Sequence, residues 1–158
     1  MSESAPGTMD TVTKQDIYIK ASPEAVYDAI ATGEAVNVWF TRHSRWEDRA
    51  DSPMVWGWED WGPDHVTSNV PGRVITADRP HRFAFVWGET QPSTVEISIE
   101  PAGAGSVVRV RQHGYEDSAE GRDLLVSCSA GWGQAMTMLK YFLEHGIIYE
   151  TLGSGSDA

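Results

Sequence analysis

The sequence predicts an α+β fold: an antiparallel sheet of about six strands wrapped around a long C-terminal helix, with two short helices after the first strand. Three observations predict it. Between Ser44 and His113, short apolar stretches alternate with turn residues at intervals too close for crossover helices, so the sheet is antiparallel. From Leu125 to Leu143, apolar residues recur every three or four positions, which draws one helical stripe. A twisted sheet with one apolar face must cover that face, and this helix is the element large enough to do so.

Each element has its own signal. Asp16-Ile17-Tyr18-Ile19-Lys20 alternates as a strand does. Ser22-Pro23-Glu24 then opens a helix, with Ser as cap, Pro where a missing N–H costs nothing, and Glu in the positive first turn. Val26, Tyr27 and Ile30 come next at helical spacing, and Gly33 is placed to close the turn. Glu34 to Phe40 reads as a second short helical piece. Pro53, Pro63, Pro71-Gly72, Asp78-Arg79-Pro80, Gln91-Pro92 and Gly103-Ala104-Gly105 punctuate the central region of the chain. Between them lie the strands Met54 to Trp58, Arg73 to Ile75, Arg82 to Trp87, Thr94 to Glu100 and Val107 to Gln112. The last helix starts at the capping-box-like Asp117-Ser118-Ala119-Glu120 and ends at His145-Gly146, a cation and a C-cap at its negative end.

Composition excludes several function classes. With 12 Lys+Arg against 23 Asp+Glu, the net charge of −11 argues against nucleic acid and against anionic membrane surfaces. No apolar run approaches the roughly 18 residues of a membrane helix, and Met-Ser-Glu-Ser-Ala-Pro-Gly shows no secretory signal. The expectation is a cytoplasmic protein with one domain at 10–149 and flexible tails at 1–9 and 150–158, too polar and Gly/Ser-rich to offset ordering entropy. The single cysteine, Cys128, permits neither an internal disulfide nor a multi-cysteine zinc site. It falls on the apolar stripe of the last helix, where burial makes a thiol inert.

Five of the seven Trp lie between Trp39 and Trp61. Trp56 and Trp58 are two apart on one strand, so they share a face. With Trp87 and Trp132 they are candidates to line an interior pocket, their indole N–H groups available to orient a ligand; the alternative is plain core. Gly131 and Gly133 flank Trp132 inside a helix, where each costs about 1 kcal/mol against Ala. Close helix–sheet approach or a hinge would repay that cost. The five His have no metal-ligand spacing, and Asp60, Asp64 and His65 read as a solvated loop. No nucleophile motif and no phosphate loop is present, so no catalytic residue, metal or cofactor is assigned. Tyr27, Glu96, Gln112 and Tyr115 are the candidate inward polar groups. Arg109 and Arg111 alternate with Val108 and Val110 and point outward.

Four segments resemble one family. Ala21-Ser22-Pro23-Glu24-Ala25-Val26-Tyr27-Asp28-Ala29-Ile30 is similar to the opening A-x-P-E-x-V-W-x-A-L. Gly72 to Pro80 followed by Phe83 to Trp87 resembles that family's strand, turn and Trp-ending strand. Gly105 to Val110 with Gly114-Tyr115 is similar to G-T-x-L-x-L-x-H-x-G-F, and Gly131-Trp132 to a Gly-Trp signature in the last helix. Together, over roughly Thr13 to Leu143, they resemble the SRPBCC (START-related, helix-grip) superfamily, in the branch similar to the activator of the heat-shock protein 90 ATPase. Gln112 stands where that family often has His, with His113 one place on, and alternation turns the two to opposite faces.

The resemblance implies a Bet v-like helix-grip with a hollow interior. On that basis the expected ligand-binding residues are Trp46, Trp56, Trp58, Phe85, Trp87, Gln112, Tyr115, Trp132 and Met136, and the expected partner is a small apolar or aromatic molecule. A chaperone is the alternative partner, through a co-chaperone-like, stress-response role. A cyclase- or dehydratase-like enzyme is the second alternative, though no residue pair demands catalysis. A monomer and a homodimer both fit.

Overall fold

The computed structural model describes residues 7–148. Strand β1 (Thr13–Ile19) leads into helices α1 (Pro23–Ile30) and α2 (Gly33–Trp39). Five strands come after them: β2 (Pro53–Trp61), β3 (Val66–Asp78), β4 (Arg82–Trp87), β5 (Ser93–Ala102) and β6 (Gly105–His113). Helix α3 (Ala119–His145) comes last. The six strands form one antiparallel sheet in the order β1-β6-β5-β4-β3-β2, so the chain meanders and β1 closes against β6. This is the expected α+β helix-grip.

Local chemistry explains the elements. Ser22 caps α1 by accepting from the Ala25 N–H at 3.1 Å, and Pro23 occupies the first turn. Gly33 does not close α1, as its position suggested; Ala31 does, and Gly33 opens α2 under the cap of Thr32. The reason is crowding: a Cβ at Gly33 would lie 2.5 Å from the Arg45 backbone. Helix α3 is capped by Ser118, one residue later than the capping box suggested, its hydroxyl accepting from the Gly121 N–H at 3.0 Å. Gly146 ends it in the left-handed region at φ 69°, as expected.

Pro71-Gly72, read as a strand break, lies inside the 13-residue β3. The Pro71 carbonyl turns toward the end of β4, where it accepts from the Gly88 N–H at 2.8 Å. Its missing N–H therefore faces that side as well and costs the β2–β3 ladder nothing. Val66 to Arg73 pairs with β2 and Gly72 to Asp78 with β4, so β3 bridges two parts of the sheet.

Alternation sorts the strands as expected. Val95, Ile97, Ile99, Val108 and Val110 are buried on the concave face. On the convex face Arg109 and Arg111 pair with Asp16, and Arg82 and His113 with Glu96. Ile19, Val26, Tyr27, Phe83, Met136 and Leu139 belong to one buried cluster that joins α1, α3 and the sheet. Of the expected tails, residues 1–6 and 150–158 lie outside the described residues, as does residue 149 at the end of the expected domain. Gly7 to Met9 run beside Tyr115–Asp117, with Met9 N–H donating to Tyr115 O at 2.9 Å.

Candidate functional site

The N-terminal half of α3 stands off the sheet, and a cavity of about 310 Å³ lies between them. The sheet side is built from large rings: Trp56, Trp58 and Trp61 from β2 and Trp87 at the end of β4. Phe40, just after α2, adds a fifth, and Val66, Ser68 and Val70 of β3 complete that wall. The helix side offers Ser127, Cys128 and Gly131, which are small and leave the space open, together with Trp132 and Gln134. A Cβ at Gly131 would meet nothing within 4 Å, whereas one at Gly133 would come 3.1 Å from Gln15 Nε2 on β1. The two glycines thus differ: one sits against the sheet, the other over the void.

Ring geometry is well defined. Trp56 and Trp58 stack with centroids 6.0 Å apart at 20°, as two residues on one face of a strand must. Trp61 is three places from Trp58, and strict alternation would turn it outward. A register shift between Trp58 and Trp61, with Asp60 at φ 51°, brings it back to the inner face. Phe40 then meets Trp58 and Trp61 edge-on at 5.6 and 5.9 Å, and Trp132 closes on Trp56 at 6.2 Å and 82°. Behind this layer, Trp46 and Phe85 lie 4.5 and 5.3 Å from Trp56.

One polar brace crosses the cavity wall. Gln112 is 1% exposed. Its Nε2 donates to Ser93 Oγ at 2.8 Å, and its Oε1 accepts from Trp132 Nε1 at 2.7 Å. Both ends of the amide are therefore occupied, and the indole of Trp132 is pinned to β6. Next to it, burial pushes the Cys128 thiol above its ordinary pKa, against the opposing hydrogen bonds of Gln112 and Tyr115. Burial likewise raises the Tyr115 hydroxyl, which shares a 2.6 Å hydrogen bond with Thr13 Oγ1. Thr13 in turn reaches Ser129 on α3 at 3.0 Å. These groups stay neutral near pH 7.

Among the expected site residues, Trp56, Trp58, Trp87, Gln112 and Trp132 come together around the cavity. Trp46 and Phe85 form its backing layer. Tyr115 is 1% exposed beside Thr13, and Met136 is 2% exposed in the packed cluster, one helical turn beyond Trp132. Tyr27 is buried at α1 and donates its hydroxyl to Asp48 Oδ1 at 2.7 Å. Glu96 faces the convex side with His113, and Gln112 faces inward, as alternation required. Phe40, Trp61, Val66, Ser68, Val70, Ser127, Cys128, Gly131 and Gln134 line the space without having been singled out as ligand contacts. Only Trp61 and Phe40 carried a usable signal, their size and closeness to the Trp cluster. Asp60 pairs with His65 Nδ1 at 2.5 Å on an exposed turn, and among the described residues no three His, Cys, Asp or Glu side chains gather as metal ligands.

The model of the family described as Activator of Hsp90 ATPase homolog 1-like protein matches residues 20–144. No curated protein matches the chain. Solved structures share the fold. Protein MLL2253 from Mesorhizobium loti is 14% identical with a TM-score of 0.75, over 87% of this chain and all (100%) of its own. The Aha1 dimer from Colwellia psychrerythraea is 18% identical with a TM-score of 0.71, over 86% of this chain and 98% of that one. SSP2350 from Staphylococcus saprophyticus is 20% identical with a TM-score of 0.68, covering 89% and 97%.

Proposed function

The chain belongs to the Activator of Hsp90 ATPase homolog 1-like family, and from that premise we propose that it binds a small, largely apolar or aromatic molecule in the cavity beneath α3. The observation that carries this reading is the wall itself. Five Trp or Phe rings on the sheet side and Trp132 on the helix surround a space of about 310 Å³, within the size range of small-molecule sites. Among the described residues, no charged side chain lines it.

Binding follows from this chemistry. Each apolar ring face withdrawn from water contributes roughly 25 cal/mol per Å². Stacked and edge-on indoles favour a flat ligand whose ring enters between them. The Gln112 brace holds Trp132 in place before the ligand arrives, so little ordering cost is left for the binding step. Catalysis has weaker support: the Gln112 amide is occupied at both ends, and the Cys128 thiol is held protonated.

Two measurements test the reading. Native mass spectrometry of freshly purified protein should show a retained small-molecule mass. Titration with the neutral fluorophore N-phenylnaphthylamine should quench Trp emission and saturate at one site. Gly131→Leu projects a side chain into the open space and should weaken that binding by at least about tenfold while the fold persists. A clean apo mass with no saturable quenching would overturn the proposal.

A second reading, a co-chaperone-like module, draws on the family and on the dimer formed by the Colwellia relative. Stimulation of an Hsp90-type ATPase that survives Gly131→Leu would favour it.

A further inference from the structure

The aromatic cavity proposed above has a neighbour that bears on the charge of its occupant. A second recess, of about 440 Å³, shares Trp87 with the cavity and lies between the β4–β5 loop and the first turns of α3. Glu89, Glu120 and Asp123 line it, and among the described residues neither space has a Lys or Arg in its wall. Gln91 also lines it, its Oε1 buried without a hydrogen-bond donor.

Several carboxylates elsewhere on the molecule are paired with cations. Asp16 pairs with Arg109 and Arg111, Asp28 with Arg79, Glu96 with Arg82 and His113, and Glu144 with Lys140. Among the described residues, Glu89, Glu120 and Asp123 have no such cation. The helix dipole accounts for Glu120, in the first turn of α3, but not for Glu89, on a loop. Like charges in a concave recess focus a negative field, here beside the cavity with which the recess shares Trp87. Trp87, common to both walls, offers the aromatic face to which an ammonium group is drawn within about 6 Å.

We propose that the occupant is an aromatic cation: its flat ring system sits among the indoles of the cavity, and its amine projects past Trp87 toward Glu89, Glu120 and Asp123. This rests on the ligand-binding reading and adds the charge of the ligand to it. An aromatic anion of the same shape is disfavoured by the same carboxylates.

Three dansyl probes with one ring system test the proposal, read by energy transfer from Trp: dansylcadaverine is cationic, dansylamide neutral and dansylglycine anionic. At low salt dansylcadaverine should bind about tenfold more tightly than dansylglycine, with dansylamide between them, and high salt should shrink that ratio. The variant E89Q/E120Q/D123N should bring all three within about twofold, while dansylamide keeps its wild-type affinity and so reports an intact cavity. Equal affinities in the wild type, or a cation preference that survives the triple variant, would overturn the charge assignment alone. Failure of all three probes to saturate would overturn the cavity reading with it.

Discussion

The two halves of α3 carry the same apolar stripe and meet the sheet in different ways. Toward the C-terminus, Ala135, Met136, Met138 and Leu139 are all buried. That end is fastened to β1 and the residue after it: Glu144 accepts from the Lys20 N–H at 2.7 Å, and the Lys140 ammonium, paired with Glu144 at 2.8 Å, donates to Tyr18 O at 2.6 Å. Toward the N-terminus, only Gly121 is buried, and Val126 is 66% exposed. One helix thus divides its labour: the packed half supplies stability, and the raised half leaves space that a ligand can fill.

Substitutions can break that comparison. The largest effect belongs to the packed half. Leu139→Ala removes a side chain with 0% exposure and should cost about 2–5 kcal/mol in urea unfolding, with little change in cavity occupancy beyond that due to lost fold. The brace between the halves comes next. Gln112→Ala leaves the Trp132 N–H and the Ser93 hydroxyl without their partner and should cost about 1–3 kcal/mol. Trp emission should shift to the red as Trp132 loosens.

The glycine pair sharpens the contrast further. Gly131→Ala meets open space and gains helix propensity, so it should raise stability by up to about 1 kcal/mol. Gly133→Ala must push Gln15 aside and should return less. Equal gains at both positions would mean that the raised half is no more open than the packed half.

The smallest effect is one of pH. Hydrogen bonds from Arg111, Arg79 and Lys140 hold Asp16, Asp28 and Glu144 below the ordinary carboxylate pKa. Their folded values lie below their unfolded ones, so their contribution is complete above the ordinary carboxylate range and is lost as pH falls from that range through the lower folded values. Thermal melts should show a modest decline there that Glu144→Gln partly removes, since that change unties the packed end of α3.

Much of this architecture was legible in the sequence because faces follow period. Alternation placed Trp56 with Trp58 and turned Arg109 and Arg111 outward, and helical spacing put Trp132, Met136 and Leu139 on one stripe. What period cannot supply is depth and distance along the grip. Met136 shares its stripe with Trp132 yet belongs to the packed end, and Phe85 shares its face with the cavity yet lies behind Trp56. Trp61 was hidden for a different reason: the irregularity at Asp60 changes parity, and no alternation rule survives an extra residue. The small residues Ser127, Cys128 and Gly131 define the cavity by what they leave unfilled, which a search for large or reactive side chains passes over.

The stacking of the indoles has an optical consequence. Trp46 and Trp56 lie 4.5 Å apart and Trp56 and Trp58 6.0 Å apart, close enough for neighbouring rings to share their excited states. The circular dichroism of the protein should therefore carry an exciton couplet whose sign and amplitude are set by the angles between those rings. Any guest that slides between them, or any change that tilts one of them, rewrites the couplet, so the wall of the cavity carries its own unlabelled gauge of occupancy.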